Sequence, residues 1–250
     1  MGEMKQRLLA NVKLPVIEKS EYDKIELFKK TLDMLSGMCN QSIFILDYST
    51  QGFLYLSPHP LFLCGHTVDE AMEMGFDFLE EVIAPESQEM LTEIARSGWQ
   101  FFYETIEEEG NGALSYDIYL KHKNGLKTLV NQKSAPFFLT KDGNPWLVIC
   151  LVGHSSRKKA GNMIFARKDK TEYYTYDFQK KKRFPYRPPE LTKREKEVSL
   201  LILRGYDTET IAKELDISPN TVKNHRANIE VKLSESNLFD TISAFYSLLG

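Results

Sequence analysis

Within nine residues near its C-terminus the chain places Asn220, Thr221, Lys223, Asn224, His225, Arg226, Ala227 and Asn228. Amides pair bidentately with adenine, an ammonium donates to guanine, and hydroxyls, imidazoles and helix N-termini hold phosphate, so this run can read duplex DNA. Catalysis lacks such support. The sequence shows no nucleophile-base pair and no phosphate loop, and its five histidines (His59, His66, His122, His154 and His225) show no metal-ligand spacing. A non-enzymatic protein without a metal is the expectation.

A recognition surface works only if the elements beneath it hold it in place. Thr192 followed by Glu195 forms a capping box, and Val198, Leu201 and Ile202 recur at the spacing of a buried helical stripe, with Gly205 as the stop. Asp207 caps a second helix, whose Ile211, Ala212 and Leu215 share a face, and Asp216, Ile217 and Ser218 make a tight turn. Ser218 then caps a third helix with Pro219 in its first position, and Ile217 can staple onto Val222. At 100° per residue Val222, Ile229 and Leu233 turn inward, while Asn220, Asn224, Ala227 and Val231 lie opposite, flanked by Thr221, Lys223 and Asn228. Lys223, Asn224 and Ala227 are thus expected at base edges. Thr221, His225, Asn228 and the helix start at Asn220 are expected at phosphates, and Arg226 lies on the inward edge, to snorkel out or to pair with an acid of the first helix.

Leu191 to Glu195, Thr210 to Leu215 and Ile217 to His225 resemble the LuxR-type (NarL/FixJ-type) DNA-binding domain, whose pattern runs Leu-Thr-x-Arg-Glu, then Glu/Thr-Ile-Ala-x-x-Leu, then Ile-Ser-x-x-Thr-Val-Lys-x-His. The resemblance implies a small all-α helix-turn-helix domain of four helices over 190–250, with its third helix in the major groove and its last making a dimer contact on an inverted-repeat site. This chain departs from the pattern at Glu209, which suits the helix dipole but repels a phosphate, and at Arg226, where the family has an apolar residue.

Composition bounds the remainder. The 250 residues allow two domains, and 42% hydrophobic with 27% charged residues is ordinary for a globular protein. No long apolar run, signal pattern or lipidation motif is present, so a cytoplasmic protein without membrane attachment is expected. Cys39, Cys64 and Cys150 are widely spaced and read as reduced thiols. The net charge of −3 hides a division into −9 over 1–155, +8 over 156–189 and −2 over 190–250. The basic stretch reads either as a solvated linker or as one that contacts DNA.

Residues 1–40 form a helical extension whose stripe (Ile25, Leu27, Phe28, Leu32, Leu35) needs the next domain or a second copy to cover it. Over 41–155 the order is strand, strand, short helices, then three strands at Ala113–Lys121, Leu126–Leu139 and Pro145–Gly153, the last three joined through Asn124-Gly125 and Asp142-Gly143. The expected fold class is α+β, with a five-stranded antiparallel sheet and helices on one face.

That order, with Gly65-His66-Thr67-x-x-Glu70 opening a helix and the two Lys-x-Gly hairpins, resembles a PAS domain, a family of small sensor domains that bind a molecule between sheet and helices or dimerise. Cys64 lacks the neighbours of a flavin-reactive cysteine, and Pro85–Ile106 holds no histidine for haem; His66 reads as a capping or surface residue. Phe76, Phe78, Phe101 and Phe102 are the expected lining of any pocket, and the cofactor is left unknown. A receiver domain is excluded by the hairpin after Asp47. Over 156–189, Met163–Ala166 and Tyr173–Phe178 suit two short strands, followed by Pro185, Pro188 and Pro189 as an extended tether. The whole suggests a homodimeric transcription regulator, with a PAS sensor, a basic linker and double-stranded DNA as partner. A protein-interaction module that no longer binds DNA is the alternative.

Overall fold

The computed structural model describes residues 3–10, 12–23, 25–38, 40–105, 112–167, 172–186 and 190–235. They divide into two compact units, 1–186 and 187–250.

The first unit is built on one antiparallel sheet. Its strands are β1 (Ser42–Asp47), β2 (Gly52–Leu56), β3 (Ala113–Lys121), β4 (Lys127–Leu139), β5 (Pro145–His154), β6 (Gly161–Ala166), β7 (Tyr173–Asp177) and β8 (Lys182–Tyr186), in the order β2-β1-β5-β4-β3-β6-β7-β8. The first five, with helices inserted between β2 and β3, follow the strand order expected over 41–155. Gly125 and Gly143 adopt φ of +83° and +73° in the β3–β4 and β4–β5 turns, where a side chain would be strained.

The five-stranded sheet expected over 41–155 is corrected to one of eight strands among the described residues. The short strands expected at Met163–Ala166 and Tyr173–Phe178 are present as β6 and β7, but β6 pairs along β3, and β7 and β8 continue the same sheet. Pro185, expected in the tether, sits in β8, an outermost strand, where its missing N–H leaves no ladder bond unmade. The extension is packed as firmly as it is paired. Phe165 lies 4.8 Å from Phe101, the Arg183 guanidinium stacks over both rings, and the Tyr176 hydroxyl donates to Glu93.

Helices cover both faces, not one. α4 (Pro60–Leu63), α5 (Val68–Met74), α6 (Asp77–Val82) and the long α7 (Pro85–Thr105) enclose the main core with α1 (Glu3–Leu9), which contributes Leu8. On the opposite face Ile25 and Leu32, the latter in α3 (Glu26–Met38), cover Ile43, Ile45, Tyr55, Trp146 and Leu147. The N-terminal stretch, expected as one helix, is three, with α2 (Lys19–Asp23) the second. Pro15 and the β-branched pair Val16-Ile17 hold the chain extended between α1 and α2. The stripe on α3 therefore finds the sheet to cover, yet Met34, Leu35 and Met38 remain exposed.

The second unit contains α8 (Lys193–Leu203), α9 (Thr208–Glu214) and α10 (Pro219–Glu235) around Leu191, Val198, Leu201, Ile211, Ala212, Val222 and Ile229. The fourth helix expected over 237–249, the Cys39 thiol and the prolines 188 and 189 lie outside the described residues.

Candidate nucleic-acid interface and ligand cavity

α10 begins where Ser218 caps it. Its hydroxyl accepts the Thr221 N–H at 3.1 Å and meets the Thr221 hydroxyl at 2.8 Å. The preceding turn closes α9 through bonds from Ile217 N–H to Ala212 C=O and from Asp216 N–H to Lys213 C=O, with Asp216 at φ +50°. α8 ends in the same motif: Tyr206 N–H reaches Leu201 C=O, Gly205 N–H reaches Ile202 C=O, and Gly205 sits at φ +82°.

The residues of the N-terminal pattern prove to be clamps. Thr192 and Glu195 exchange both bonds of the capping box at 3.3 and 2.7 Å. Arg194 pairs with Glu197 at 2.7 Å and also donates to the Leu215 carbonyl, so that one guanidinium holds the C-terminal end of α9 against α8. Glu195 is buried and receives the Lys232 ammonium at 2.7 Å, which ties the far part of α10 to the start of α8. Burial alone would raise the Glu195 carboxyl, but the Lys232 ammonium and the Thr192 donors outweigh it and hold the group below the usual carboxylate range. Sequence reasoning missed Lys232 and the second bond of Arg194, since both partners lie more than 20 residues away.

With Val222 and Ile229 buried, Asn220, Lys223, Asn224, Ala227 and Asn228 are exposed along one side of α10, and Thr221 and His225 are half-buried beside them. From Asn220 to Asn228 the rise is about 12 Å, close to the width of the major groove. Arg226 does not pair with an acid of the first helix. It is exposed and donates to the Thr208 hydroxyl at 3.3 Å, because its position faces the first turn of α9. Glu209 is exposed in that same turn.

The first unit encloses a cavity of about 120 Å³ between β-sheet and helices. Phe76, Phe101 and Phe102 line it as expected, with Leu8, Phe44, Tyr48 and Trp99; Phe78 does not, and meets Phe53, Phe62 and His66 edge to face instead. The described lining carries no charged side chain, and its polar groups are Tyr48, Tyr116, Gln132, Ser134 and Cys150. Burial pushes the Tyr48, Tyr116 and Cys150 protons up, so all three remain neutral. Cys64 lies outside the lining, with its thiol pushed up by burial to about 12. His66 is more buried than a surface histidine: it rests on Phe78, and desolvation lowers its pKa. Asp47 accepts from the Ser49 N–H and the Tyr22 hydroxyl, a turn-holding role. Among the described residues no cluster of histidine, cysteine or acidic side chains could hold a metal ion.

A capped three-helix bundle with a polar face on its third helix defines a helix-turn-helix, and residues 189–245 match the family model "Bacterial regulatory proteins, luxR family". This segment is a LuxR-type helix-turn-helix domain. It is 49% identical over 53 residues to a putative HTH-type transcriptional regulator of Aeromonas salmonicida, and 48% identical over 52 residues to the response regulator protein TodT of Pseudomonas putida. These alignments cover 20% and 21% of the chain and 27% and 23% of the two relatives, so the chain spans about a quarter of their length. Among solved structures, a Vibrio cholera VqmA complex with ligand and DNA aligns with 91% of this chain and 86% of its own at 16% identity and a TM-score of 0.32. A PAS domain from Colwellia psychrerythraea aligns with 52% of this chain and 97% of its own at 12% identity and a TM-score of 0.38.

Proposed function

We propose that this protein is a cytoplasmic, non-enzymatic transcription regulator that binds double-stranded DNA as a homodimer. The observation that carries the reading is the exposed row Asn220, Lys223, Asn224, Ala227 and Asn228 on a helix whose start and far part are both clamped to the bundle. Lys223 and Asn224 would face base edges, with Thr221, His225 and Asn228 at phosphates. The apolar side chains left exposed on α3 supply surface for a second copy. Selection of duplexes from a randomised pool, repeated over a salt series, tests the reading. A two-fold symmetric site whose affinity falls steeply with salt is expected, and binding without any sequence preference would refute it. Glu209, placed where a phosphate clamp would lie, favours the second reading, an interaction module without DNA affinity.

The cavity supports a sensing role for the first unit. An apolar space of this size takes about one ring, and a lining without charge favours an uncharged ligand that uses Gln132, Ser134 or a tyrosine hydroxyl. Thermal melts with neutral single-ring heterocycles and their carboxylated analogues test this: only the neutral compounds should stabilise the protein.

A further inference from the structure

The basic character of 156–189 becomes a surface only when the strands are paired. The registers Lys121↔Lys127, Val130↔His154, Asp117↔Gly161 and Asp177↔Lys182 bring the β3–β4 turn, the β5–β6 loop and the β7–β8 turn to the same end of the sheet. The last two touch. The Asn162 amide binds Asp117 at 3.0 Å and the Lys159 carbonyl at 3.2 Å, which folds the β5–β6 loop onto β3, and a Cβ at Gly161 would lie 3.9 Å from the Phe178 ring of the β7–β8 turn. Lys158, Lys159, Lys180, Lys181 and Lys182 are all exposed there.

The balance of charge at this end is one-sided. Lys180 reaches Asp177 at 3.6 Å and Lys181 faces the Glu93–Arg96 pair, whereas Lys158, Lys159 and Lys182 form no ion pair among the described residues. Arg167 and Arg183, by contrast, are consumed internally by Glu172 and Glu104. In the β3–β4 region Lys123 and Lys127 are neutralised by Glu70 and Glu86.

We propose that this lysine cluster, built from the β5–β6 loop and the β7–β8 turn, is a second DNA contact that grips the phosphate backbone beside the site read by α10. The inference rests on the DNA-binding reading above. Clustered, flexible ammonium groups, of which Lys180 alone lies over a ring, that of Phe184 at 5.5 Å, suit a row of phosphates rather than base edges. Only seven residues of chain separate Lys182 from Glu190, a reach of at most about 28 Å and less than one turn of duplex. A duplex already held by the helix-turn-helix is therefore at high effective concentration for these lysines.

The test compares the full chain with the combined variant Lys158→Gln, Lys159→Gln, Lys180→Gln, Lys182→Gln on a duplex selected by the wild type, either trimmed to its site or extended by about one helical turn on each side. For the wild type the slope of log affinity against log salt should be steeper on the extended duplex. The variant should lose that increment, about 0.9 for each phosphate released, while keeping the same sequence preference. Equal slopes for variant and wild type on a duplex that both bind would overturn the second contact and leave the α10 reading intact. Failure of the wild type to bind any duplex would sink the α10 reading and this one with it. Loss of binding to phosphatidylserine vesicles, with DNA binding unchanged, would assign the cluster to a membrane surface and also overturn it.

Discussion

The Lys232 ammonium lies 2.7 Å from the buried Glu195 carboxylate and 3.2 Å from the Glu190 carbonyl. Helix α10 is therefore fixed to α8 about one turn beyond the exposed row that ends at Asn228, which sets the direction in which Lys223 and Asn224 project.

This pair makes the stability of the second unit depend on pH. The Glu195 carboxyl sits below its ordinary value of 4.5 in the folded chain, so its contribution is fully present above that value and is lost as pH falls through the lower folded pKa. The protection of α8 amides, their exchange measured against the intrinsic rate at each pH, should fall in acid below about pH 4.5, and Glu195→Gln should flatten that dependence. Lys232→Met, which leaves the carboxylate without its cation, should cost about 1–3 kcal/mol at neutral pH in the same measurement.

Substitutions on the face of α10 should separate recognition from folding. Lys223→Ala and Asn224→Ala should each weaken binding to a selected duplex by about 1–3 kcal/mol without changing the exchange of α8. Val222→Ala, at a fully buried position, should instead lower stability. Unchanged affinity in both surface variants would mean that this face does not read DNA.

Gly112 marks a close approach between the start of β3 and the end of β6. A Cβ there would stand 2.5 Å from the Ala166 carbonyl oxygen and 2.9 Å from the Phe101 ring. Gly112→Ala should destabilise the first unit by about 1–3 kcal/mol, read as a lower midpoint of the tryptophan fluorescence transition, since both tryptophans, Trp99 and Trp146, lie in that unit.

Tyr176 tests whether the sheet extension is integral to the first unit. Its hydroxyl bonds to Glu93 and receives Arg96 at 3.1 Å, joining β7 to α7. Tyr176→Phe should cost about 1.5–3 kcal/mol and raise hydrogen exchange in β6–β8 before that in β1 and β5. Uniform exchange across the sheet would contradict this.

Features set by near neighbours in the chain were legible from sequence. The capping boxes at Thr67–Glu70 and Thr192–Glu195, the caps at Asp207 and Ser218, the stop at Gly205 and the Gly-containing hairpins each need only residues three or four apart. What escaped was settled by distant partners. β6 was readable as a short strand, but its pairing with β3 depends on Leu114 meeting Phe165 across some fifty residues. Likewise the basic composition of 156–189 left open a solvated linker or a DNA-contacting one, and its aromatic half, Phe165, Tyr174 and Tyr176, reveals its packing only against Phe101 and Glu93. Arg226 was placed on the correct edge of its helix, yet its partner Thr208 was decided by the crossing of α9 and α10 rather than by charge.

The unbroken sheet also decides where this chain can be cut and rejoined. A junction after Tyr186 leaves every described strand with its neighbour, so the second unit could be exchanged there without exposing a new edge. A junction at 155, where the basic stretch begins, would strip β3 of β6 and bare an unpaired ladder beside Leu114, inviting a foreign strand to add.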